Sequence, residues 1–368
     1  MIIKNGLVFE ENKTFTVRDV YIENGMITDD LAHLTDRTEI DASGLYVLPG
    51  LVDIHSHGAV GCDFSDADTE GLKSILRYER AHGITSYCPT SMTLPVAQIK
   101  EIFATAVEAQ KSAEEKQADV AGINMEGPFL DPAKKGAHVE AYIAAPDVDI
   151  FRECNEACDQ MIRLVTLAPN VPGAIEFIQE LHDETVISLG HTSANYESSR
   201  KAIEAGAKHV THLYNAMMPL AHRDPGLIAA AAENPECMVE LISDGIHIHE
   251  SVVRATFQLF KDRVVLISDS MRATGMEDGT YELGGQQVTV RGKLATLEDG
   301  TIAGSATNLY DCMRTAVAFG IPLGEAVAAA SMNPAKSIGI YEKVGSLTPG
   351  KRADILLADK DLNLVKVI

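Results

Sequence analysis

Residues 51–57 read Leu-Val-Asp-Ile-His-Ser-His, an apolar run that ends in two histidines two positions apart. In a β-strand, side chains at positions i and i+2 point to the same face. Both imidazoles would therefore lie together at the C-terminal end of the strand. The stretch predicts a buried strand that presents two candidate metal ligands where it ends.

Seven further apolar runs along the chain also end in polar residues. They cover residues 84–90, 120–126, 162–167, 186–191, 209–212, 238–244 and 264–269. Helical patterns separate most of them, most clearly over residues 69–81, 96–110 and 193–205. Continuous apolar strands that alternate with helices indicate a parallel sheet covered on both faces, and eight such units predict an α/β fold with a closed (β/α)₈ TIM-like barrel.

The two ends of the chain have a different pattern. Short strand-like runs at residues 2–9, 17–22 and 25–27 are punctuated by Asn-Gly turn signals, and residues 353–358 form a similar run after a turn-rich approach. We expect residues 1–48 and 340–368 to form a small β-sandwich module, with the barrel spanning residues 49–339. A Gly-rich segment near residues 279–305 predicts a β-hairpin insertion after the eighth barrel strand.

The formal net charge of −22 bears on partners and location. A strongly acidic surface repels nucleic acid and anionic lipid, so neither is an expected partner, although a pocket can still be locally positive. The N-terminus lacks the charged and apolar regions of a signal peptide, and no apolar run is long enough to span a bilayer. We expect a cytoplasmic protein with six reduced cysteines.

Six metal-type ligands gather at five of the eight predicted strand ends. They are His55, His57, Glu126, His191, His212 and Asp269. The C-terminal ends of barrel strands meet at one mouth, and imidazole with carboxylate suits Zn²⁺ or Fe²⁺. Water bound to such an ion ionises near neutral pH and becomes a nucleophile. Asp269 is suitably placed to accept the water proton and return it to a leaving amine.

Several motifs carry a family resemblance. Residues 55–58 (His-Ser-His-Gly) resemble the amidohydrolase superfamily, and residues 125–129 (Met-Glu-Gly-Pro-Phe) resemble its N-acetylglucosamine-6-phosphate deacetylases. Similar motifs follow in order at residues 134–138, 189–192, 211–217, 223–226, 244–247 and 268–270. The resemblance covers nearly the whole chain, and its Glu-Gly-Pro and His-Leu-x-Asn-Ala-Met elements are the specific ones.

The resemblance implies an activity and a set of roles. The reaction would be hydrolysis of N-acetyl-D-glucosamine 6-phosphate to D-glucosamine 6-phosphate and acetate, in amino-sugar catabolism and cell-wall recycling. Glu126, His191 and His212 would bind the principal metal, and Asp269 would be the general acid/base. The implied substrate contacts are Ala137 and His138 near the sugar or acetyl carbonyl, Asn215, Ala216, Arg223 and His247 near the phosphate or sugar, and Ile302, Ala303 and Gly304 near the acetyl end.

The number of ions and of subunits follows from the same resemblance. Some family members lack the first-strand His-x-His and are limited to one metal, whereas this chain keeps His55 and His57. That favours a second ion with Glu126 as a bridge; the alternative is that both imidazoles stay vacant. We expect one or two divalent ions per subunit, Zn²⁺ or Fe²⁺ with Mn²⁺ or Co²⁺ as alternatives. A homodimer or higher oligomer is implied, with Arg223 reaching a neighbour's site.

Three other functions compete with this hypothesis. Another amidohydrolase, such as an N-acyl amino acid deacylase, would not need Arg223 and His247 to face a phosphate. A non-catalytic interaction barrel would be expected to have lost ligands, and a phosphoesterase on a similar barrel would not release acetate. Comparing activity on phosphorylated and unphosphorylated N-acetylglucosamine distinguishes the sugar-phosphate deacetylase from another amidohydrolase. Release of acetate would exclude both the interaction barrel and the phosphoesterase.

Overall fold

The computed structural model describes residues 1–368, which form 21 strands and ten α-helices. The strands are β1 (Ile2–Phe9), β2 (Phe15–Glu23), β3 (Met26–Thr28), β4 (Glu39–Asp41), β5 (Tyr46–Pro49), β6 (Leu51–Ser56), β7 (Gly58–Ala59), β8 (Cys62–Asp63), β9 (Ile84–Ser91), β10 (Asp119–Val120), β11 (Ile123–Glu126), β12 (Ile162–Leu167), β13 (Val186–Leu189), β14 (His209–Val210), β15 (Met238–Ile242), β16 (Val264–Ile267), β17 (Gly279–Leu283), β18 (Gln286–Arg291), β19 (Leu294–Thr296), β20 (Ile355–Ala358) and β21 (Leu364–Val367). The helices are α1 (Thr69–Ala81), α2 (Val96–Lys111), α3 (Val148–Ala157), α4 (Ala174–Leu181), α5 (Tyr196–Glu204), α6 (Gly226–Glu233), α7 (Glu250–Phe260), α8 (Leu309–Ala318), α9 (Leu323–Ala330) and α10 (Met332–Ser337).

Eight parallel strands form the barrel in the order β6, β9, β11, β12, β13, β14, β15 and β16, which confirms the predicted (β/α)₈ fold. The third predicted run, residues 120–126, is divided in the structure: β10 pairs with β9, and β11 starts afresh at Ile123. Gly122 lies at the break, where a Cβ atom would come within 2.1 Å of Arg163 Cγ. Glu126 nevertheless ends the strand, as expected.

The first and last barrel strands meet without a regular ladder of backbone hydrogen bonds. The backbone N–H of Asp269 donates to the carbonyl of His55 at 2.9 Å. The buried Asp53 carboxylate accepts a hydrogen bond from the Ser268 hydroxyl at 2.5 Å. A side chain therefore takes over part of the role that main-chain pairing plays at the other strand junctions.

Strands from both chain ends form one seven-stranded sheet outside the barrel, in the order β21, β20, β5, β1, β2 and β3, with β4 on the flank of β1. The C-terminal β20 lies antiparallel to β5, the strand that immediately precedes the barrel. Ile3, Val20 and Ile355 belong to a buried apolar cluster of eleven residues in this module. Both chain ends thus contribute to an additional β module, which is one hydrogen-bonded sheet instead of the two packed sheets of a β-sandwich.

Two local expectations differ from the structure. The insertion contains three antiparallel strands, β17 to β19, because Leu294–Thr296 adds to the predicted hairpin. Helix α5 begins at Tyr196 rather than at Ser193, because the Asn195 side chain accepts a hydrogen bond from the Ser198 N–H and caps the helix there.

None of the helices combines the length and the apolar character needed to cross a membrane.

Candidate metal centre and substrate cavity

The six predicted ligands converge at the C-terminal mouth of the barrel. His191, His212 and Asp269 each lie two residues beyond the end of a strand, and their φ angles are +46°, +26° and +48°. Non-glycine residues adopt this left-handed region at a cost, and such strain concentrates at functional sites. The chain turns sharply at each of these positions, and the side chains gather over the barrel.

Glu126, His191 and His212 form the first donor group. Glu126 Oε1 lies 3.1 Å from His191 Nε2 and 3.0 Å from His212 Nε2, and the two nitrogens are 2.9 Å apart. Donors arranged tetrahedrally about a zinc ion would be about 3.3–3.6 Å apart, given bonds of about 2.0–2.2 Å. The three atoms thus lie within a few tenths of an ångström of a metal-binding arrangement.

His55, His57 and Asp269 form the second donor group. Asp269 Oδ1 lies 3.3 Å from His57 Nε2 and 3.7 Å from His55 Nε2. The other oxygen of Glu126, Oε2, faces this group at 3.3 Å from His57 Nε2 and 3.4 Å from His55 Nε2. Glu126 therefore stands between the two groups, with one oxygen toward each.

The hydrogen bonds behind the rings fit a metal site. Nδ1 of His191 faces the Lys134 carbonyl at 2.9 Å, Nδ1 of His57 faces the Thr90 carbonyl at 3.1 Å, and Nδ1 of His55 faces a Glu240 oxygen at 2.8 Å. Acceptors at Nδ1 place the ring hydrogen there and leave the Nε2 lone pair free for an ion. The buried Nε2 of His55 has no hydrogen-bond partner, as expected of an atom reserved for a metal.

Glu126 is ionised in this environment. Burial opposes its charge, but the neighbouring His55 and hydrogen bonds with His138, His191 and His212 outweigh burial and hold the pKa of Glu126 well below its usual value. An ionised carboxylate together with imidazole nitrogens is the donor set that divalent zinc and iron prefer.

His138 has the opposite arrangement from the other histidines. Its Nδ1 accepts a hydrogen bond from the Thr93 backbone N–H at 3.1 Å, while Nε2 lies 3.5 Å from Glu126 Oε2. Burial lowers the pKa of His138 to about 4, so the ring is neutral near pH 7. A neutral ring with Nδ1 as acceptor carries its hydrogen on Nε2. His138 therefore presents a hydrogen-bond donor beside the metal centre.

A cavity of about 590 Å³ opens over these groups, a size typical of small-molecule sites. Seven of the nine predicted substrate contacts line it: Ala137, His138, Asn215, Ala216, His247, Ile302 and Gly304. Ala303 is buried behind the wall. Arg223 is exposed on the 217–225 loop and does not line the cavity of its own chain.

His247 is held rigidly at the cavity wall. Its Nδ1 lies 2.7 Å from Asp244 Oδ2, and the other oxygen of Asp244 accepts hydrogen bonds from the backbone N–H groups of Ile246 and His247. This turn fixes the ring so that Nε2 is the nitrogen available to a ligand.

Sequence reasoning missed several cavity and supporting residues. Lys134 and Lys135 line the cavity and bring positive charge to it, and Leu283 and Met92 add apolar wall. Glu240 lies behind His55. A signal for Glu240 was present, because it is the one charged residue in the apolar run Met-Val-Glu-Leu-Ile of β15. Charged residues are rarely buried without a partner.

A (β/α)₈ barrel with histidine and carboxylate donors at its C-terminal mouth is the architecture of a metal-dependent hydrolase. Residues 46–368 match the model of the amidohydrolase family, and the chain belongs to that family.

Sugar-phosphate deacetylases are among the relatives that align over most of the chain. N-acetylglucosamine-6-phosphate deacetylase of Bacillus subtilis (strain 168) is 38% identical, over 100% of this chain and 95% of its own. N-acetylgalactosamine-6-phosphate deacetylase of Escherichia coli O157:H7 is 33% identical, over 90% of this chain and 87% of its own. A mutant N-acetyl-D-glucosamine-6-phosphate deacetylase from Mycobacterium smegmatis, solved in complex with N-acetyl-D-glucosamine-6-phosphate, has a TM-score of 0.92 and 31% identity, covering 100% of this chain and 97% of that one.

Proposed function

We propose that this amidohydrolase removes acetate from N-acetyl-D-glucosamine 6-phosphate and releases D-glucosamine 6-phosphate, as a cytoplasmic step of amino-sugar catabolism and cell-wall recycling. The convergence of the two donor groups, with four imidazoles and two carboxylates, at one cavity carries the proposal. The full-length similarity to deacetylases of acetylated hexosamine phosphates supports the substrate class.

The two donor groups would hold one or two divalent ions, with Glu126 between them. Zn²⁺ or Fe²⁺ fits imidazole and carboxylate donors, and Mn²⁺ or Co²⁺ are the alternatives. A bound ion would supply Lewis acidity toward the acetyl oxygen and lower the pKa of water.

Asp269 and His138 would assist the reaction in different ways. Asp269 accepts a proton from the attacking water and delivers it to the departing nitrogen, which makes the amine a competent leaving group. His138 donates a hydrogen bond from Nε2–H to the acetyl oxygen as negative charge develops on that oxygen. Its fixed tautomer means that this donor is already oriented when the substrate arrives.

The remaining wall would recognise the sugar phosphate. Asn215, Ala216 and His247 would contact the phosphate side, Ile302 and Gly304 the acetyl side, and Ala137 the sugar. All six line the cavity, whereas Ala303 is buried behind its wall and would support the acetyl side. Arg223 lies outside its own cavity, so its phosphate contact would require a second copy of the chain. We therefore propose a homodimer or higher oligomer in which Arg223 reaches a neighbour's cavity.

Acetate release tests the proposal directly. The purified protein should hydrolyse N-acetylglucosamine 6-phosphate much faster than unphosphorylated N-acetylglucosamine or an N-acetyl amino acid, and a chelator should abolish the activity. N-acetylgalactosamine 6-phosphate belongs in the same panel because the E. coli relative carries that name. Preference for the galactose epimer would correct the substrate, whereas a preference for N-acetyl amino acids, or no acetate at all, would refute the proposed function.

A further inference from the structure

Glu240 is fully buried in β15, behind the metal centre. A single oxygen, Oε2, accepts two hydrogen bonds: from Nδ1 of His55 at 2.8 Å and from the backbone N–H of His212 at 2.9 Å. An ionised carboxylate that accepts bonds from buried donors makes stronger contacts than a neutral acceptor does. Burying this charge is costly without such partners.

The two partners of Glu240 belong to different donor groups. His55 lies with His57 and Asp269, whereas His212 lies with Glu126 and His191. Both rings also approach Glu126, His55 Nε2 at 3.4 Å from Oε2 and His212 Nε2 at 3.0 Å from Oε1. Each histidine therefore contacts both carboxylates: Glu126 on the cavity side and Glu240 on the buried side.

The other ligand histidines are oriented differently. Backbone carbonyls of Thr90 and Lys134 hold the rings of His57 and His191, so no side-chain substitution removes those acceptors. The Nδ1 atom of His212 has no partner, so this sharply turned residue is held by its backbone: the carbonyl accepts hydrogen bonds from Asn215, and the N–H donates to Glu240. Glu240 is thus the side chain that binds both His55 and His212.

We propose that Glu240 is a positioning residue that holds both donor groups in metal-binding geometry at once. The inference rests on the proposed metal dependence, but it concerns binding of the ion rather than turnover. Groups that orient metal-bound histidines typically change metal affinity by about 10–100-fold when they are removed.

Two substitutions distinguish the positioning effect of the Glu240 hydrogen bonds from the effect of its negative charge. Glu240→Leu removes the oxygen that accepts both hydrogen bonds, and we expect Zn²⁺ affinity to fall about 10–100-fold at each site. Glu240→Gln keeps an oxygen that can accept both hydrogen bonds, so it should recover part of that loss. Glu79→Leu is the matched control, because Glu79 is equally buried but its carboxyl has no hydrogen-bond partner.

Calorimetric titration of the metal-free proteins with Zn²⁺ gives the affinities, and thermal unfolding without metal reports any structural damage. Repeating the titrations in His57→Asn and His191→Asn backgrounds assigns each loss to one donor group.

Weaker binding in both backgrounds, partial recovery by Gln and wild-type affinity in the Glu79 control would support the proposal. Unchanged affinity in the Gln and Leu variants, or a loss confined to the His55 group, would overturn it. If Glu240→Leu does not fold, Glu240→Ala, which also lacks the accepting oxygen, takes its place, and wild-type affinity of that variant in either background would overturn the proposal equally. Wild-type protein that binds no Zn²⁺, Fe²⁺, Mn²⁺ or Co²⁺ would refute the proposed function itself, and the inference with it.

Discussion

Asp269 is the residue at which metal binding and proton transfer overlap, and the structure shows how to separate them. Its Oδ1 lies 3.3 Å from His57 Nε2, so both residues belong to the same donor group. Asp269→Asn removes a carboxylate donor and the proton acceptor together. His57→Asn removes a donor of the same group and leaves the carboxylate in place, which makes it the matched control.

The difference between the two variants isolates the proton-transfer contribution. General acid–base catalysis typically contributes about 10²–10⁴-fold, or about 2.7–5.4 kcal/mol of activation free energy. If Asp269 transfers the proton, kcat of Asp269→Asn should be lower than kcat of His57→Asn by about that factor. Asparagine has nearly the same shape as aspartate, so packing around residue 269 should change little.

The assay is acetate release at saturating N-acetylglucosamine 6-phosphate, with the metal content of each variant measured on the same sample. We expect both variants to retain the ion of the Glu126, His191 and His212 group and to lose ion at the second group. Equal kcat values at equal metal content would mean that Asp269 serves only as a ligand, and the proton-transfer assignment would be wrong.

Three further predictions address stability and recognition. Glu79 is fully buried without a hydrogen-bond partner, and burial followed by the nearby Asp53 raises its pKa well above the usual 4.5. The folded chain then keeps a proton that the unfolded chain releases, so the free energy of unfolding should fall as pH rises from about 5 to about 7, by up to about 1.4 kcal/mol per pH unit. Glu79→Gln should lack this slope. Urea unfolding followed by circular dichroism measures the free energy of unfolding, and parallel pH profiles for the two proteins would contradict the prediction. Arg223→Ala should lower kcat/KM about 10–150-fold on the phosphorylated sugar, the value of one charged hydrogen bond, and leave unphosphorylated N-acetylglucosamine unaffected; an equal loss on both substrates would mean that Arg223 supports the fold or the oligomer instead. Gly127 has a φ of +85°, and a Cβ there would lie 2.2 Å from Thr93 Oγ1, so Gly127→Ala should cost about 2 kcal/mol or more of stability. Gly350→Ala, with a φ of +91° and no atom within 4 Å, is its control and should cost less; equal losses would show that the Thr93 contact is unimportant.

The barrel and the positions of its six candidate ligands were predictable because both depend on local pattern. Each buried parallel strand is a continuous apolar run, and the first polar residues after it must lie at the barrel mouth. His55, Glu126 and Asp269 are far apart in the chain, yet the strand ends alone predict that they meet. Geometry that follows from strand periodicity and barrel closure therefore needs no knowledge of tertiary contacts.

Contacts between strands were not predictable in the same way. Glu240 binds His55 across 185 residues of chain, and Asp53 reaches Ser268 across 215. Each appears in the sequence only as one charged residue within an apolar run, a pattern that does not name its partner. The residue pattern alone also does not place Arg223 outside its own cavity, because that depends on how the loop after β14 folds; only the family resemblance implied that Arg223 reaches a neighbour's site.

Whether His57, His191 and His138 offer a metal-binding lone pair or a hydrogen-bond donor at Nε2 depends on the group that faces Nδ1. His57 and His191 face carbonyl acceptors, which place the hydrogen on Nδ1 and free Nε2 for an ion. His138 instead accepts a backbone N–H at Nδ1, so its hydrogen points toward the cavity. The groups that make this distinction belong to the main chain: the carbonyls of Thr90 in β9 and of Lys134, and the N–H of Thr93. The position of the backbone around each ring therefore decides which of its nitrogens carries the hydrogen.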